Sequence, residues 1–162
     1  MKKNFYLMLI AFSFFAIVSG CKKDSSGNPI IPGINTSMTA KIDGLEWASI
    51  VRTCTKNGNT IDLNGVSADG KIIQLYISPN ITTENLVINK DYTLPVTSFY
   101  KKQATTTIND IYFATVGTVR LTSLDLTNKL VSGSFSFSAI STSFGTASIT
   151  TGVFANISFV GN

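Results

Sequence analysis

The segment from Leu130 to Ile140 constrains the fold more than any other part of the sequence. Its apolar residues fall on alternate positions, and serines occupy the positions between them. Successive side chains of a β-strand project to opposite faces, so this pattern gives a strand with one apolar and one polar face. The apolar face has to be buried, while the serine face meets water. The inward set is Val131, Phe135, Phe137 and Ala139, and the outward set is Ser132, Ser134, Ser136 and Ser138.

Shorter alternating segments recur along the chain and are separated by turn sequences. Asp43-Gly44, Asn57-Gly58-Asn59 and Asp69-Gly70 are turn signals, since these residues accept the backbone angles of tight hairpins. We predict an all-β fold with about eight to ten short antiparallel strands, arranged as a β-sandwich or a small barrel. A single open sheet is disfavoured because it would leave an apolar face in water.

Two long segments break the simple alternation. Trp47 to Thr55 has the composition of a strand, but Arg52 interrupts its apolar face, and the pattern does not show which side points inward. Between residues 111 and 126 the inward positions change from Val119 and Leu121 to Leu124 and Leu126. An extra residue near Thr122-Ser123 explains this change of inward positions, so we predict a β-bulge there.

The chain begins with a basic segment, Met1-Lys2-Lys3-Asn4, followed by fourteen uncharged residues from Phe5 to Val18. A helix needs ~20 apolar residues to span a bilayer core, so this run is too short. Basic residues before a short apolar core are typical of a secretory signal peptide. We therefore expect residues 1–20 to be a signal peptide. A transmembrane helix is disfavoured further because Lys22-Lys23-Asp24 ends the apolar run.

The end of this run, Val18-Ser19-Gly20-Cys21, resembles the lipobox of bacterial lipoproteins. In that class a diacylglycerol is joined to the cysteine thiol, the signal peptide is cut before the cysteine, and the new amino group is acylated. The resemblance implies that Cys21 is the lipidation site and that the protein has no cofactor besides this diacylglycerol and N-acyl lipid. It also implies a lipid-anchored protein of the cell envelope, on the outer membrane, with the periplasmic and surface-facing sides both left open. The alternative is an ordinary signal peptide that precedes a cysteine by chance.

The rest of the chain divides into a linker and one domain. Residues 21–36 contain Ser25-Ser26-Gly27-Asn28-Pro29 and Pro32-Gly33 and show no periodicity, which predicts a flexible linker after the lipidated cysteine. Residues 37–162 carry all the alternating segments, so we predict a single all-β domain there.

Composition excludes several classes of function. The chain has no histidine, which removes Ser-His-Asp and Cys-His catalysis and histidine-ligated zinc. If Cys21 carries lipid, Cys54 has no partner for a disulfide and is expected to be a small buried side chain. The net charge of +4 includes Lys2 and Lys3 of the signal peptide, and no basic stripe remains for nucleic acid. We expect no metal site and no nucleic-acid partner.

Three motifs carry a family resemblance. Met38-Thr39-Ala40-Lys41-Ile42-Asp43-Gly44, followed by Glu46-Trp47-Ala48, resembles the opening of small lipoproteins of Bacteroidetes. Such proteins close with a Ser-Gly-x-Phe-x-Phe strand and an Ile-Thr-x-Gly-x-Phe segment, which are similar to 132–137 and 149–154 here. That family is a domain of unknown function. The resemblance therefore implies a location and a fold but supplies no catalytic residues.

Four aromatic residues are candidates for ligand binding. Trp47 lies next to a turn, Tyr76 alternates outward from an apolar face, and Phe99 and Tyr100 lie in a polar region where binding residues tend to gather. The competing interpretation places these rings in the core, as is common for a sole tryptophan on a strand.

The carboxylates give no catalytic set. Asp43 and Glu46 lie three residues apart around a turn, but turn chemistry alone explains an aspartate before glycine. We expect a non-catalytic, membrane-anchored module that binds or supports an envelope glycan, peptide or protein. A β-barrel that carries an apolar ligand is the alternative, and a hydrolase is a weaker one.

Overall fold

The computed structural model describes residues 35–79, 85–103 and 107–162. The predicted signal peptide, Cys21 and most of the predicted linker lie outside these residues, and so remain predictions. Within the described residues no helix is long and apolar enough to cross a membrane. The strands are β1 (Ser37–Ile42), β2 (Leu45–Asn57), β3 (Thr60–Ser67), β4 (Ile72–Ile77), β5 (Asp91–Thr93), β6 (Phe99–Lys101), β7 (Ile111–Asp125), β8 (Leu130–Ser141), β9 (Thr146–Ser158) and β10 (Val160–Gly161).

Eight of these strands close into an antiparallel barrel. Apart from β5, each strand from β1 to β9 pairs with the next one in sequence. The circle closes because β1 pairs with β2 on one side and with β9 on the other. The all-β antiparallel prediction is confirmed, and of the two arrangements left open the barrel is the one observed.

β5 and β6 together form one interrupted strand along β7. Asp91 pairs with Arg120 in β5, and Lys101 pairs with Ile111 in β6. The interruption between them is held by Ser98, which is fully buried. The Ser98 carbonyl accepts from the Ala114 N–H at 2.9 Å, and its hydroxyl accepts from the Tyr76 N–H at 2.9 Å. The hydroxyl thus takes the place of a backbone acceptor where the ladder between β4 and β6 ends.

The barrel interior is filled by side chains from every wall. The predicted inward set of β8 is confirmed, since Val131, Phe135, Phe137 and Ala139 are all buried. Glycines on the wall make room for the larger rings: a Cβ at Gly133 would lie 2.4 Å from Phe154 Cζ. The largest fully buried side chains are Phe154, Met38, Ile61, Leu63, Ile73, Leu75, Ile77, Leu121, Ile149, Ile157, Val119 and Val131.

Bulges account for the irregular alternation of β2 and β7. An even number of residues lies between Trp47 and Cys54, so a regular strand would place their side chains on opposite faces. In β2 the register shifts between Ser49 and Val51, and both side chains therefore face the interior. In β7 the register shifts between Leu121 and Ser123, which confirms the bulge predicted at 122–123. The expectation that Leu126 points inward is wrong. Leu126 lies beyond the end of β7 in the turn before β8, and it is 61% exposed.

We expect Ser98→Ala to destabilise the barrel by about 1–3 kcal/mol, because it leaves the buried Tyr76 N–H without an acceptor. Urea unfolding followed by circular dichroism measures the change. The control is Ser136→Ala on the outer face of β8, where the exposed side chain predicts a change within about 0.5 kcal/mol. Equal effects of the two substitutions would contradict the role assigned to Ser98.

Candidate functional site

A pocket of about 450 Å³ opens at one end of the barrel. This end carries the β1–β2 turn, the β3–β4 turn and the residues that follow β6, and we call the opening the mouth pocket. In an up-and-down barrel every second turn falls at the same end, which brings these segments together. The mouth pocket is lined by Ile42, Asp43, Leu45, Glu46, Trp47, Ala48, Ser67, Ala68, Asp69, Lys71, Tyr100 and Lys102.

Two aromatic side chains form the inner part of the mouth pocket. Trp47 and Tyr100 are each only 4% exposed and belong to the barrel core. The Trp47 ring reaches towards Gly65, where an added Cβ would lie 2.9 Å from Trp47 Cη2. The Trp47 Nε1 atom is buried and has no hydrogen-bond acceptor among the described residues. Tyr100 packs against Tyr112, with 5.6 Å between the ring centroids.

The surroundings of the Tyr100 hydroxyl disfavour its ionisation. Burial raises the pKa of Tyr100 to about 12, together with smaller contributions from the nearby Asp43, Tyr112 and Asp69. Burial and the neighbouring carboxylates disfavour the phenolate and any other anion at this position. The inner part of the mouth pocket therefore favours neutral groups and hydrogen-bond donors.

The β3–β4 turn forms one side of the rim. Asp69 accepts a hydrogen bond from the Ser67 hydroxyl and pairs with Lys71, whose Nζ lies 2.5 Å from Asp69 Oδ2. The Lys71 ammonium and the Ser67 hydroxyl lower the pKa of Asp69 to about 2, since both stabilise the carboxylate. The carboxylate is thus ionised at neutral pH and already has two partners from its own chain.

The β1–β2 turn forms the facing side of the rim. Asp43 and Gly44 have φ angles of 50° and 83°, as the predicted Asp-Gly hairpin turn requires. Asp43 Oδ1 accepts from the Ser148 N–H at 2.8 Å, which ties the turn to β9. Glu46 forms a 3.3 Å ion pair with Lys41. Each rim carboxylate therefore has a partner, and each keeps further acceptor capacity on its oxygens.

The four predicted binding residues separate into two pairs. Trp47 and Tyr100 meet at the mouth pocket, but their rings are buried rather than presented as open stacking faces. Tyr76 and Phe99 lie on the outer face of the barrel, where Phe99 pairs with Gln74 and Phe113. The structure brings none of the outer pair to the mouth.

Sequence reasoning missed the polar rim. Turn chemistry alone explains Asp69, and no sequence pattern distinguishes Ser67, Lys71 or Lys102 from other polar residues. The available signal was topological: once the fold is a barrel of sequential strands, the 43–44 and 69–70 turns must share one end.

A second groove of about 440 Å³ lies on the outer face of β7, β8 and β9. Arg120 and Asp91 face each other there in a bidentate pair, with Nε–Oδ1 and Nη2–Oδ2 distances of 2.6 and 2.7 Å. The two charges neutralise each other, and the remaining lining is mostly hydroxyl groups. Within the part of the chain that the structure describes, this groove has no buried donor without an acceptor, whereas the mouth pocket is lined by Trp47, which makes the mouth pocket the better candidate site.

Cys54 is buried in the barrel with 3% of its surface exposed, as expected for a small core side chain. Burial, and secondarily the charge of Asp62, raises the pKa of its thiol to about 12. The thiol therefore stays protonated and has little nucleophilic character. Among the described residues no group of three or more histidine, cysteine, aspartate or glutamate side chains has the arrangement of a metal site.

Comparison with known proteins gives a family. Residues 35–158 match the family model described as a domain of unknown function, DUF6252. The chain belongs to this family. The match includes all eight barrel strands, from the start of β1 to the end of β9. The expected membership of a family of unknown function is thereby confirmed. Searches of the curated proteins and of the solved structures give no match to this chain.

We expect the Asp69 carboxyl to titrate with a midpoint of about 2, because Lys71 and Ser67 stabilise its charged form. The folded pKa lies below the unfolded value of ~3.9, so the stabilisation by Asp69 is present above pH ~4 and is lost as the pH falls towards 2. Carboxyl ¹³C chemical shifts measured by NMR give the midpoint directly. Lys71→Met should raise it, and an unchanged midpoint in this variant would contradict the assigned cause.

Proposed function

We propose that this protein is a non-catalytic binding module of the cell envelope, and that the mouth pocket is its ligand site. The observation that carries the proposal is one pocket that combines a charged rim with buried aromatic side chains, one of which, Trp47, has an indole N–H without an acceptor among the described residues. Small-ligand sites generally combine apolar walls with a few convergent polar groups in a volume of ~300–1,000 Å³. The mouth pocket has this composition and size.

Packing supports the mouth over the barrel interior as the place where a ligand binds. Phe135 fills the space beside Gly152, and Phe154 fills the space beside Gly133. Met38 and Trp47 fill the space beside Gly65 in the same way. A carrier of apolar ligands needs free volume where these side chains lie. The filled wall positions therefore favour a ligand at the end of the barrel.

The chemistry of the rim supports binding rather than catalysis. General acid catalysis by a carboxyl group near neutral pH needs a raised pKa, whereas the pKa of Asp69 is lowered. The sequence contains no histidine to act as a general base. The rim groups are instead hydrogen-bond donors and acceptors of fixed charge.

The lipobox-like sequence supports a tethered location for this module. We propose that Cys21 carries the lipid, that residues 22–36 form the linker, and that the protein is held at the outer membrane of a Bacteroidetes cell. β1 begins at Ser37, at the end of the barrel opposite the mouth pocket. A tether attached there leaves the mouth free to face away from the lipid.

The fluorescence of Trp47 tests the ligand site, because Trp47 is the sole tryptophan of the chain. The mature protein in detergent micelles is titrated with neutral, cationic, anionic and zwitterionic small molecules. At least one class should change the emission in a saturable way, since a ligand in the mouth pocket alters the surroundings of the indole.

Two matched lysine variants test whether the ligand binds at the mouth pocket. Lys102→Gln at the mouth should weaken the interaction, whereas Lys129→Gln at the opposite end of the barrel should leave it unchanged. The proposed site is wrong if no class gives a saturable change, or if the two variants bind alike.

Cys21→Ala tests the tether. The substitution should abolish metabolic labelling with palmitate, because it removes the thiol that accepts the diacylglycerol. It should also leave the signal peptide uncleaved by the lipoprotein peptidase, which is visible as a slower band on a denaturing gel. Cys54→Ala is the control and should be labelled normally. Labelling that persists in Cys21→Ala would refute the anchor.

A further inference from the structure

The indole N–H of Trp47 is a hydrogen-bond donor that the fold does not use. Trp47 is 4% exposed, lines the mouth pocket, and has no acceptor for Nε1 among the described residues. A buried donor without a partner destabilises the unliganded protein, so an acceptor that reached it would recover that free energy. The N–H is shielded from solvent, so a ligand oxygen would reach it only if side chains at the mouth moved. The indole N–H of Trp47 therefore favours a ligand that carries an acceptor oxygen.

The rim carboxylates favour a ligand that carries neutral hydrogen-bond donors. Asp69 is already paired with Lys71 and Ser67, Glu46 is paired with Lys41, and the backbone of Ser148 donates to Asp43. A lysine thus compensates the charge of Asp69 and of Glu46, whereas the partner of Asp43 is an uncharged backbone N–H. A hydroxyl group of a ligand can still donate a hydrogen bond to these carboxylates, because an ionised carboxylate offers about four acceptor positions.

We propose that the mouth pocket binds a neutral saccharide, which donates from its hydroxyl groups to Asp43 and Asp69 and accepts at one oxygen from the Trp47 N–H. This inference rests on the proposed function and names the ligand class of the same site. A sugar ring also supplies C–H groups that pack against the apolar wall formed by Ile42 and Leu45. Lys102 donates to a second ligand oxygen from the rim.

The charges at the mouth disfavour the competing ligand classes. An anionic ligand would bring its charge towards the buried Tyr100, where burial and the nearby Asp43 and Asp69 disfavour a negative charge. A neutral ligand that both donates and accepts avoids these costs.

The test uses the mature protein in detergent micelles and a panel of neutral mono- and disaccharides, read by Trp47 fluorescence and by the indole ¹H–¹⁵N signal of Trp47. A binding sugar should shift the indole proton downfield, because the N–H gains an acceptor. For each sugar that binds, the corresponding uronate should bind about ten-fold or more weakly, as expected for a like charge placed beside Asp43 and Asp69.

Two substitutions give the matched comparison, with affinities measured by calorimetry. Asp69→Asn at the mouth should weaken saccharide binding by about ten-fold, the effect of one charge-assisted hydrogen bond. Asp125→Asn should have no effect, because Asp125 accepts backbone hydrogen bonds in the β7–β8 turn at the opposite end. Trp47→Phe removes the N–H and should weaken binding by a similar factor. If that variant fails to fold, the indole shift in the unaltered protein still decides the role of the N–H.

The outcomes separate this inference from the proposed function. Saturable saccharide binding with a downfield indole shift supports it. Binding of only anions or zwitterions overturns the saccharide assignment and leaves the mouth as a binding site. A saccharide that binds without moving the indole signal overturns the assigned geometry. If no class of small molecule binds, the proposed function fails together with the inference.

Discussion

The closure of the barrel by β1 is the constraint on which the rest of the structure depends. β1 is six residues long and pairs on one side with Leu45–Ala48 and on the other with Ile149–Ala155. Without it, β2 and β9 would each expose a free edge, and Met38 would leave the core. The mouth pocket depends on the same closure, because Trp47 lies directly opposite Ala40 in the β1–β2 ladder. The candidate site therefore forms only when the ends of the domain meet.

The width of an eight-stranded barrel explains why the ligand space lies at its end. Such a barrel is just wide enough for its own side chains to fill it. Rings as large as those of Trp47, Phe135 and Phe154 fit only where the facing wall has no Cβ, and Gly65, Gly152 and Gly133 provide those positions. Once the rings occupy the interior, free volume remains where the strands end and the turns diverge. The same side chains thus determine both the packing of the core and the position of the mouth pocket.

Local patterns in the sequence predicted local structure well, and pairings between distant strands set the rest. The alternation of β8 and the bulge after Leu121 follow from side-chain parity within a single strand. The bulge after Ser49 does not, because Arg52 has the inward parity while its guanidinium turns back to the Ser49 carbonyl at 2.9 Å. The choice of barrel over sandwich depended on β1 meeting β9, more than one hundred residues away along the chain. No short-range pattern carries that pairing.

The same distance hid the candidate site, since Trp47 and Tyr100 share a pocket only in the closed barrel. Turn chemistry accounts for Asp43 and Asp69 without any ligand, so neither residue signals a site from sequence alone. The indole N–H of Trp47 is different, because none of the described residues accepts a hydrogen bond from it. A buried donor without a partner costs about 1–3 kcal/mol, and an apolar ring at this position would avoid that cost. An acceptor supplied from outside the described residues would remove this cost, and this is why the proposed ligand site is the pocket that Trp47 lines.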